Sequence, residues 1–486
     1  MPLTWAAALD ELRRADLLGS APANAADPTG IGVDSRTIGP GMLYLALRGS
    51  QADGHRFVAD AVGRGAAGVL AESPQQAGVP EIIVRDSHRA ALVLGAAWYG
   101  HPARSLTMVG VTGTNGKTTT TGLIRHLFNE RGTAGSIGTL GAFDGRGETI
   151  ASTAGSLTTP GPVDLQATLA SMVNRGVTHV AMEASSHSLD QQRLDGLTFA
   201  AGVFTNLTRD HLDYHGTMEA YLTSKLRLSS LLGLSGIEIV NLDEDSWQAM
   251  PARSPRLTFG AHPGADVRAT EVMLDAAGSR FQLSGRFGCA NASLPLLGDF
   301  NVANALAAAA TALALGRPLA DVVERLAASP QVPGRMERIA DTPCIVLRDY
   351  AHTPDALERA LTSLRPLTTG RLIVVFGCGG DRDRGKRPLM GRIAAEHSHL
   401  AIVTSDNPRT EDADAIIDDI EQGMGGLPHL RITDRLAAIH TALNEARPGD
   451  AILLAGKGHE DYQIIGTEKF PFDEREIVLK AVRGKK

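Results

Sequence analysis

Residues 106–119 read LTMVGVTGTNGKTT. Leu106–Val111 is a strand-like apolar run, and a glycine-rich turn carries it into a helical stretch, Thr118–Glu130. Strand, glycine turn, then helix is the context a phosphate-binding loop requires. Gly113 and Gly116 let backbone N–H groups approach phosphate oxygens, and the helix N-terminus adds a favourable dipole. Lys117 is placed to pair with β- and γ-phosphates, and Thr118 to offer its hydroxyl to Mg²⁺. Position 111 is Val where GxxxxGK[ST] has its first glycine. The loop therefore reads as ATP-binding, but not of the common GTPase type.

The alternation extends both ways from this loop. Downstream, Thr178–Glu183 and Ala200–Asn206 read as strands and Val302–Leu315 as a long helix. Upstream, Met42–Leu47, Gly68–Ala71 and Glu81–Val84 are short strand-like runs beside helical stretches such as Ala90–Tyr99, and His101–Ser105 reads as a linker. A third block opens near Met336, with buried-strand runs at Cys344–Leu347, Leu372–Phe376, Leu400–Thr404 and Ala451–Leu454. Apolar strands separated by helix-length segments imply parallel sheets covered on both faces. A chain of 486 residues is long enough for about three domains. The expected fold is α/β, divided at 1–104, 105–335 and 336–486, with the phosphate loop in the central, mostly parallel sheet.

Composition narrows the function. The 53 glycines and only 4% aromatics favour tight strand-to-helix turns over an aromatic-rich sandwich. A net charge of −7 gives no general reason to expect nucleic acid, so any basic site is local. Cys289, Cys344 and Cys378 show no CxxC spacing, which speaks against disulfides or structural zinc and for a reducing cytoplasm. The first twenty residues lack the cationic start and apolar core of a secretory signal, and Ala303–Leu315 is too short to span a bilayer. The expectation is a cytoplasmic monomer with no membrane partner.

Glu183 ends the apolar run Thr178–Met182, where a carboxylate beside the phosphate loop can hold Mg²⁺ or simply cap the next segment. Residues 204–216, FTNLTRDHLDYHG, place two His and two Asp within a short span, which is metal-rich chemistry or a polar loop capping the helix from about Met218. Lys225 lies about two turns into that helix, where a lone lysine ordinarily faces solvent.

VTGTNGKTTT (111–120), LTTPGP (157–162), EASSHSLDQQR (183–193), the 204–216 run and YLTSK (221–225) together resemble the Mur ligase family. So do GDFNVANALAA (298–308), PGRME (333–337), DYAHTPDAL (349–357), GCGGDRDRGKRP (377–388), SDNPR (405–409) and GKGHEDYQ (456–463). They run in family order through nearly the whole chain, and only the phosphate loop is shared with unrelated NTPases. Within the family the chain is most similar to the members that add meso-diaminopimelate in peptidoglycan synthesis.

The resemblance implies an N-terminal UDP-binding domain, a central P-loop-type ATPase domain and a Rossmann-like C-terminal domain that receives the amino acid. It implies ATP-dependent amide formation on a UDP-N-acetylmuramoyl dipeptide through an acyl phosphate. Gly113, Thr114, Asn115, Gly116, Lys117, Thr118 and Thr119 would hold ATP, with Asn301, Asn304, Arg335, Asp349 and His352. Thr118 and Glu183 match ligands of one Mg²⁺ and His211 of a second. Lys225 matches a lysine that carries a CO₂-derived carbamate, which turns a cation into a metal-binding anion; Lys117, His211 and Lys225 are the catalytic expectation. Val33, Ser35, Ser50, Gln51 and Ala52 match UDP-side contacts, and Thr158, Thr159, Ser185, Gln191 and Arg193 match contacts to the rest of that substrate. Arg382, Asp406, Asn407, Pro408, Arg409, Gly456 and Glu460 match the diaminopimelate site.

A phosphate-loop regulatory module without ligation is the reading from another class. It would need neither the metal-site lysine nor the UDP-side and amino-acid motifs. A folylpolyglutamate synthetase-type ligase is a nearer rival, and SDNPR with the UDP-side motifs argues against it.

Overall fold

The computed structural model describes residues 3–49, 53–151, 157–248, 250–251, 253–341 and 344–483. Among the described residues three large sheets succeed one another along the chain, followed by a two-stranded one. The first has the spatial order Leu18–Ser20, Glu81–Val84, Gly68–Ala71, Leu43–Leu45, Ile31–Gly32, parallel except at its first pair. Trp5, Ala8, Leu9 and Leu12 recur at helical spacing in Trp5–Arg14, and that stripe packs on this sheet.

The central sheet has ten strands, ordered Gly288–Leu294, Gly278–Gly285, Val267–Asp275, Arg256–Gly260, Leu232–Asn241, Phe199–Phe204, Thr107–Thr112, His179–Glu183, Ala134–Gly138, Gly141–Phe143. Neighbours from Val267–Asp275 through Ala134–Gly138 run parallel. Thr107–Thr112 lies between His179–Glu183 and Phe199–Phe204, so the segments after all three strands emerge at one edge. Its side chains alternate between two cores. Val109 and Val111 pack with helices Lys117–Phe128 and Asp299–Ala314, and Met108 packs with Pro162–Asn174 and Met218–Ser230. Asp299–Ala314 is apolar almost all round, and it is accordingly buried all round.

The third sheet is ordered Glu337–Ala340, Ile345–Asp349, Ala451–Ala455, Leu372–Phe376, Leu400–Val403, His429–Arg431. Only its first pair is antiparallel. Leu372–Phe376 (LIVVF) is buried along its whole length, as a strand apolar on both faces must be.

Sequence reading misses the antiparallel extension of the central sheet, Gly278–Gly285 and Gly288–Leu294, and the hairpin Tyr462–Ile465 with Glu468–Pro471. These strands carry Arg, Gln, Asn, Lys and Glu on exposed faces, so they lack the apolar run that marks the parallel strands. The 101–105 linker contains a short 3₁₀ turn, Pro102–Ser105. None of the three cysteines forms a disulfide among the described residues. Among the described residues no helix is long and apolar enough to cross a membrane.

Candidate active site

The phosphate loop leaves the carboxyl end of Thr107–Thr112, and Gly116, at φ 83°, starts the helix Lys117–Phe128. A Cβ on Gly113 would collide with the Thr205 hydroxyl, and one on Gly116 with the Asn304 carboxamide, so both positions exclude a side chain. Gly116 supplies no side-chain cap, which leaves the first-turn amides available to an anion. The Lys117 ammonium donates to Gly113 O at 2.9 Å and Thr114 O at 2.8 Å. The loop is braced from the next strand: Asn115 N–H donates to Asn206 Oδ1 at 2.8 Å, and Thr205 Oγ1 to Asn115 O at 2.8 Å. Thr114 Oγ1 accepts from Thr208 N–H at 3.0 Å and lies 3.2 Å from Tyr221 Oη. Thr118 and Thr119 are buried at the start of the helix.

Arg335 reaches this loop from the segment before the third sheet, donating from Nη2 to Thr118 Oγ1 at 3.0 Å while its guanidinium lies 4.6 Å from the Tyr350 ring centre. Its buried Nε has no partner among the described residues. Asp349 accepts from Met336 N–H at 2.6 Å, and burial raises its carboxyl to about 6 against the pull of Arg335. The His352 ring nitrogen Nδ1 lies 2.7 Å from Tyr350 O. Asn301 and Asn304 bond each other at 3.0 Å, and Asn301 also holds Leu297 O at 2.7 Å, so both amides are partly committed to the helix start. The contact Asn115 Nδ2 to Asp355 Oδ2, 2.9 Å, joins the loop directly to the C-terminal unit.

Glu183 is buried at its strand end, where Thr139 donates to it from N–H at 2.9 Å and from Oγ1 at 3.1 Å. A carboxylate has about four acceptor positions, so two remain. With the Thr118 hydroxyl and free helix amides alongside, this hard-oxygen donor set fits a Mg²⁺–nucleotide. His211 sits at φ 53° with Nε2 3.3 Å from Asp210 Oδ2, and burial lowers its pKa against that carboxylate. The His187 ring centre is 4.8 Å from that of His211 and 4.2 Å from that of Tyr214. Burial, with His211 and His215 nearby, holds His187 down at about 4.

The His and Asp density of 210–215 does not form a metal cage by itself. His215 is turned to Ser186 Oγ at 3.0 Å, and among the described residues no three His, Cys, Asp or Glu converge to hold a metal. Lys225 corrects the surface expectation. It is 1% exposed, donates to Gly113 O at 2.7 Å and lies 4.2 Å from the Tyr221 ring centre. Burial, then the neighbouring Lys117, push its pKa well down.

A cleft of about 1580 Å³ opens among the three units. Val33 and Ser35 line it from the first; Gln191, Arg193 and His211 from the second; Arg382, Asp406, Asn407, Arg409, Gly456 and Glu460 from the third. Arg193 pairs with the Gln191 carboxamide and donates to Thr159 O at 3.1 Å. Thr159 donates to Glu183 O at 2.9 Å, Thr158 Oγ1 lies 3.3 Å from Thr139 Oγ1, and Ser185 caps the short helix Ser186–Asp190. Ser50, Gln51 and Ala52 lie outside the described residues.

At the far end, the loops follow the carboxyl ends of parallel strands, where α/β ligand sites form. Arg409, at φ 52°, donates from Nη1 to Gly380 O at 2.8 Å, and Pro408 is buried beside it. Buried Asp406 Oδ2 has no partner among the described residues. Asn407 lines the cleft and is also bonded within the protein. Its Oδ1 accepts from Lys457 Nζ and Ile464 N–H, both at 2.9 Å, while Nδ2 donates to Glu460 Oε2 at 2.8 Å. Lys457, Asp355 and Tyr221 escaped sequence reading although each lies inside a quoted motif, because nothing local marks a side chain as buried and bonded.

Three α/β units converging on one cleft beside a phosphate loop describe a multidomain nucleotide-dependent enzyme. Matches to known families follow the same division: "Mur ligase family, catalytic domain" over residues 28–101, "Mur ligase middle domain" over 111–312, and "Mur ligase, glutamate ligase domain" over 334–458. The chain belongs to the Mur ligase family. It is 46% identical over 466 residues to the UDP-N-acetylmuramoyl-L-alanyl-D-glutamate–2,6-diaminopimelate ligase of Gloeobacter violaceus, covering 94% of each chain. The protein of that name from Geobacillus kaustophilus is 43% identical over 469 residues, covering 94% of this chain and 95% of its own. A solved structure of a ligase with the same name superposes with a TM-score of 0.67 at 34% identity, over 100% of this chain and 99% of the other.

Proposed function

We propose that this chain is an ATP-dependent cytoplasmic ligase that joins meso-diaminopimelate to the D-glutamate γ-carboxylate of UDP-N-acetylmuramoyl-L-alanyl-D-glutamate. The observation that carries the reading is the single cleft shared by Ser35, Arg193 and Arg409, one from each unit. A long substrate and a second amino acid meet beside a phosphate loop there. We take the units to divide at 104/105 and 335/336.

A carboxylate is a poor electrophile. Attack of its oxygen on the γ-phosphorus releases ADP and leaves an acyl phosphate; the amine then attacks the acyl carbon, and the tetrahedral intermediate collapses by expelling phosphate. The residues 113–119 bind the phosphates, and Lys117 opposes the charge that builds during transfer. Arg335, whose Nη2 bonds Thr118 while its Nε stays uncommitted, orients them from the segment that leads into the third sheet. Thr118, Glu183 and His211 are our candidates for holding Mg²⁺, which supplies neutralisation of the phosphate charge. The carbamate assigned to Lys225 supplies a further anionic ligand; its formation needs a neutral amine, which burial beside Lys117 favours. Gln191 and Arg193 orient the UDP-linked substrate, and Asp406, Arg409 and Glu460 the incoming amino acid.

The test is ADP release with the UDP-dipeptide, ATP, Mg²⁺ and each of several diamino acids. Release that requires both the UDP-dipeptide and diaminopimelate is expected. Release in the absence of an amino acid, or without an amide product, overturns the reading.

A further inference from the structure

Two buried cations, Arg435 and Lys457, stand behind residues 405–407 and 455–460 at the amino-acid end of the cleft. Arg435 is fully buried, pairs with Glu474 at 2.8 Å, and donates to Ala455 O at 2.9 Å and Ser405 O at 3.4 Å. It thereby ties together the backbones that lead into residues 406–409 and 456–460. Lys457 is equally enclosed, with a side chain 0% exposed. Its Nζ donates to Asn407 Oδ1 at 2.9 Å and lies 3.4 Å from Glu460 Oε2, which also accepts from Asn407 Nδ2 at 2.8 Å. Burying an ammonium is costly, and a neutral side chain could fill the same space. Because Arg435 already fastens the two loops, the charge on Lys457 needs another explanation.

We infer that Lys457 is a positioning residue of the amino-acid subsite, whose ammonium keeps Glu460 ionised and aimed into the cleft to receive an amino group of the incoming amino acid. The inference rests on the ligase reading above. Glu460, Asp406 and Asn407 line the cleft while Lys457 stands behind them, so it acts through its neighbours. Asn407 relays the arrangement: its oxygen is held by Lys457 and Ile464 N–H, and its amino group is thereby turned to Glu460.

The groups facing Glu460 are Lys457, Asp406, Arg409, Tyr350 and Tyr462. Burial raises its pKa and Asp406 adds to that, while Lys457 is the nearest cation pulling it back. Without Lys457 the carboxyl holds its proton to higher pH, and a neutral carboxyl gives an ammonium little attraction.

KM values for diaminopimelate, ATP and the UDP-dipeptide, measured from roughly pH 6 to 9 in the full-length enzyme, test this in Lys457→Met, Lys457→Arg and Glu460→Gln. A shift of one pKa unit is tenfold in the ionised fraction only where the pH lies below the pKa, so Lys457→Met should raise the diaminopimelate KM most at the acid end of this range, by up to about tenfold. The other two KM values should stay within about twofold, and the deficit should shrink as pH rises and Glu460 ionises. Lys457→Arg should restore most of the loss, and Glu460→Gln should show a high KM without the pH trend. An unchanged diaminopimelate KM, a rise equal at every pH, or equal rises for all three substrates overturns the inference. If Lys457→Met does not fold, Glu460→Gln decides alone: an acid limb in the diaminopimelate KM that survives this substitution overturns it. No ligation of diaminopimelate by the unaltered enzyme removes the ligase reading and this inference with it. Ligation there with any overturning pattern removes the role of Lys457 only.

Discussion

Lys117 and Lys225 donate to the same acceptor, the Gly113 carbonyl, at 2.9 and 2.7 Å. One lysine opens the helix after the phosphate loop and the other comes from Met218–Ser230, across the strand edge. Two ammonium groups on one carbonyl disfavour each other's charge, and burial adds to the effect. Lys117 is partly open to solvent although closely surrounded by protein, whereas Lys225 is sealed. Lys225 is therefore the one that gives up its proton more readily, and a neutral amine is what the proposed carbamate requires.

Lys225→Arg should inactivate the enzyme. Charge and approximate length are kept, but a guanidinium stays protonated and forms no carbamate. Lys225→Ala should be nearly inactive and should regain measurable ADP release when a small carboxylic acid is supplied as a substitute anion. An active Lys225→Arg enzyme refutes the carbamate.

Lys117→Ala should lower kcat by about two to three orders of magnitude, the scale of losing one donor to developing charge. Thermal unfolding should move little, since the ammonium bonds only carbonyls of its own loop. Near-normal turnover would rule out this loop as the site of phosphoryl transfer.

How far the sequence is legible depends on whether a residue's environment is written in its neighbours. Leu372–Phe376 reads as a strand from five consecutive apolar residues, and the structure places it at those bounds. Gly278–Gly285 has no such run: Arg280, Gln282 and Ser284 alternate with the buried Phe281 and Leu283, so its signal is a period of two and not continuous apolar residues. The phosphate loop is legible because strand, glycines and helix are contiguous. The burial of Lys225 is not, because it is created by Gly113 and Tyr221, the first of them 112 positions away. Asn407 shows the same limit: its motif is visible, while its engagement with Lys457 and Ile464 depends on the fold.

Glu474→Ala should destabilise the protein by about 3–5 kcal/mol, the range for leaving one partner of a buried ion pair unpaired. Arg435 and Glu474 are both fully buried, at 2.8 Å, so water cannot replace the lost carboxylate readily. Replacing both by apolar residues of similar size should recover most of that loss. Urea unfolding midpoints of the single and double variants measure it, and a single variant as stable as the unaltered chain would show that the pair contributes nothing.

Selection of the amino acid should depend on Arg409. Diaminopimelate differs from lysine by a carboxylate at its far end, so discrimination needs a cation held there. Arg409 is fixed in place by its backbone, with N–H donating to Ile464 O at 3.1 Å and its carbonyl accepting from Gly466 N–H at 2.7 Å. Its side chain commits Nη1 to Gly380 O, and Arg382 beside it donates to Asp381 O, so both guanidiniums bond carbonyls at the cleft wall and not carboxylates. Burial and Arg382 lower the pKa of Arg409, which marks a desolvated cation next to a like charge. A carboxylate arriving there relieves both penalties and can take parallel hydrogen bonds from the planar fork. Lysine brings no such group, and a site built around a polar partner rejects its absence by about 10⁴-fold. The unaltered enzyme should therefore strongly prefer diaminopimelate in kcat/KM, and Arg409→Ala should lose most of that preference mainly through a higher KM for diaminopimelate. Comparable kcat/KM for lysine and diaminopimelate before any substitution would leave the ligase reading in place and remove Arg409 as its selector.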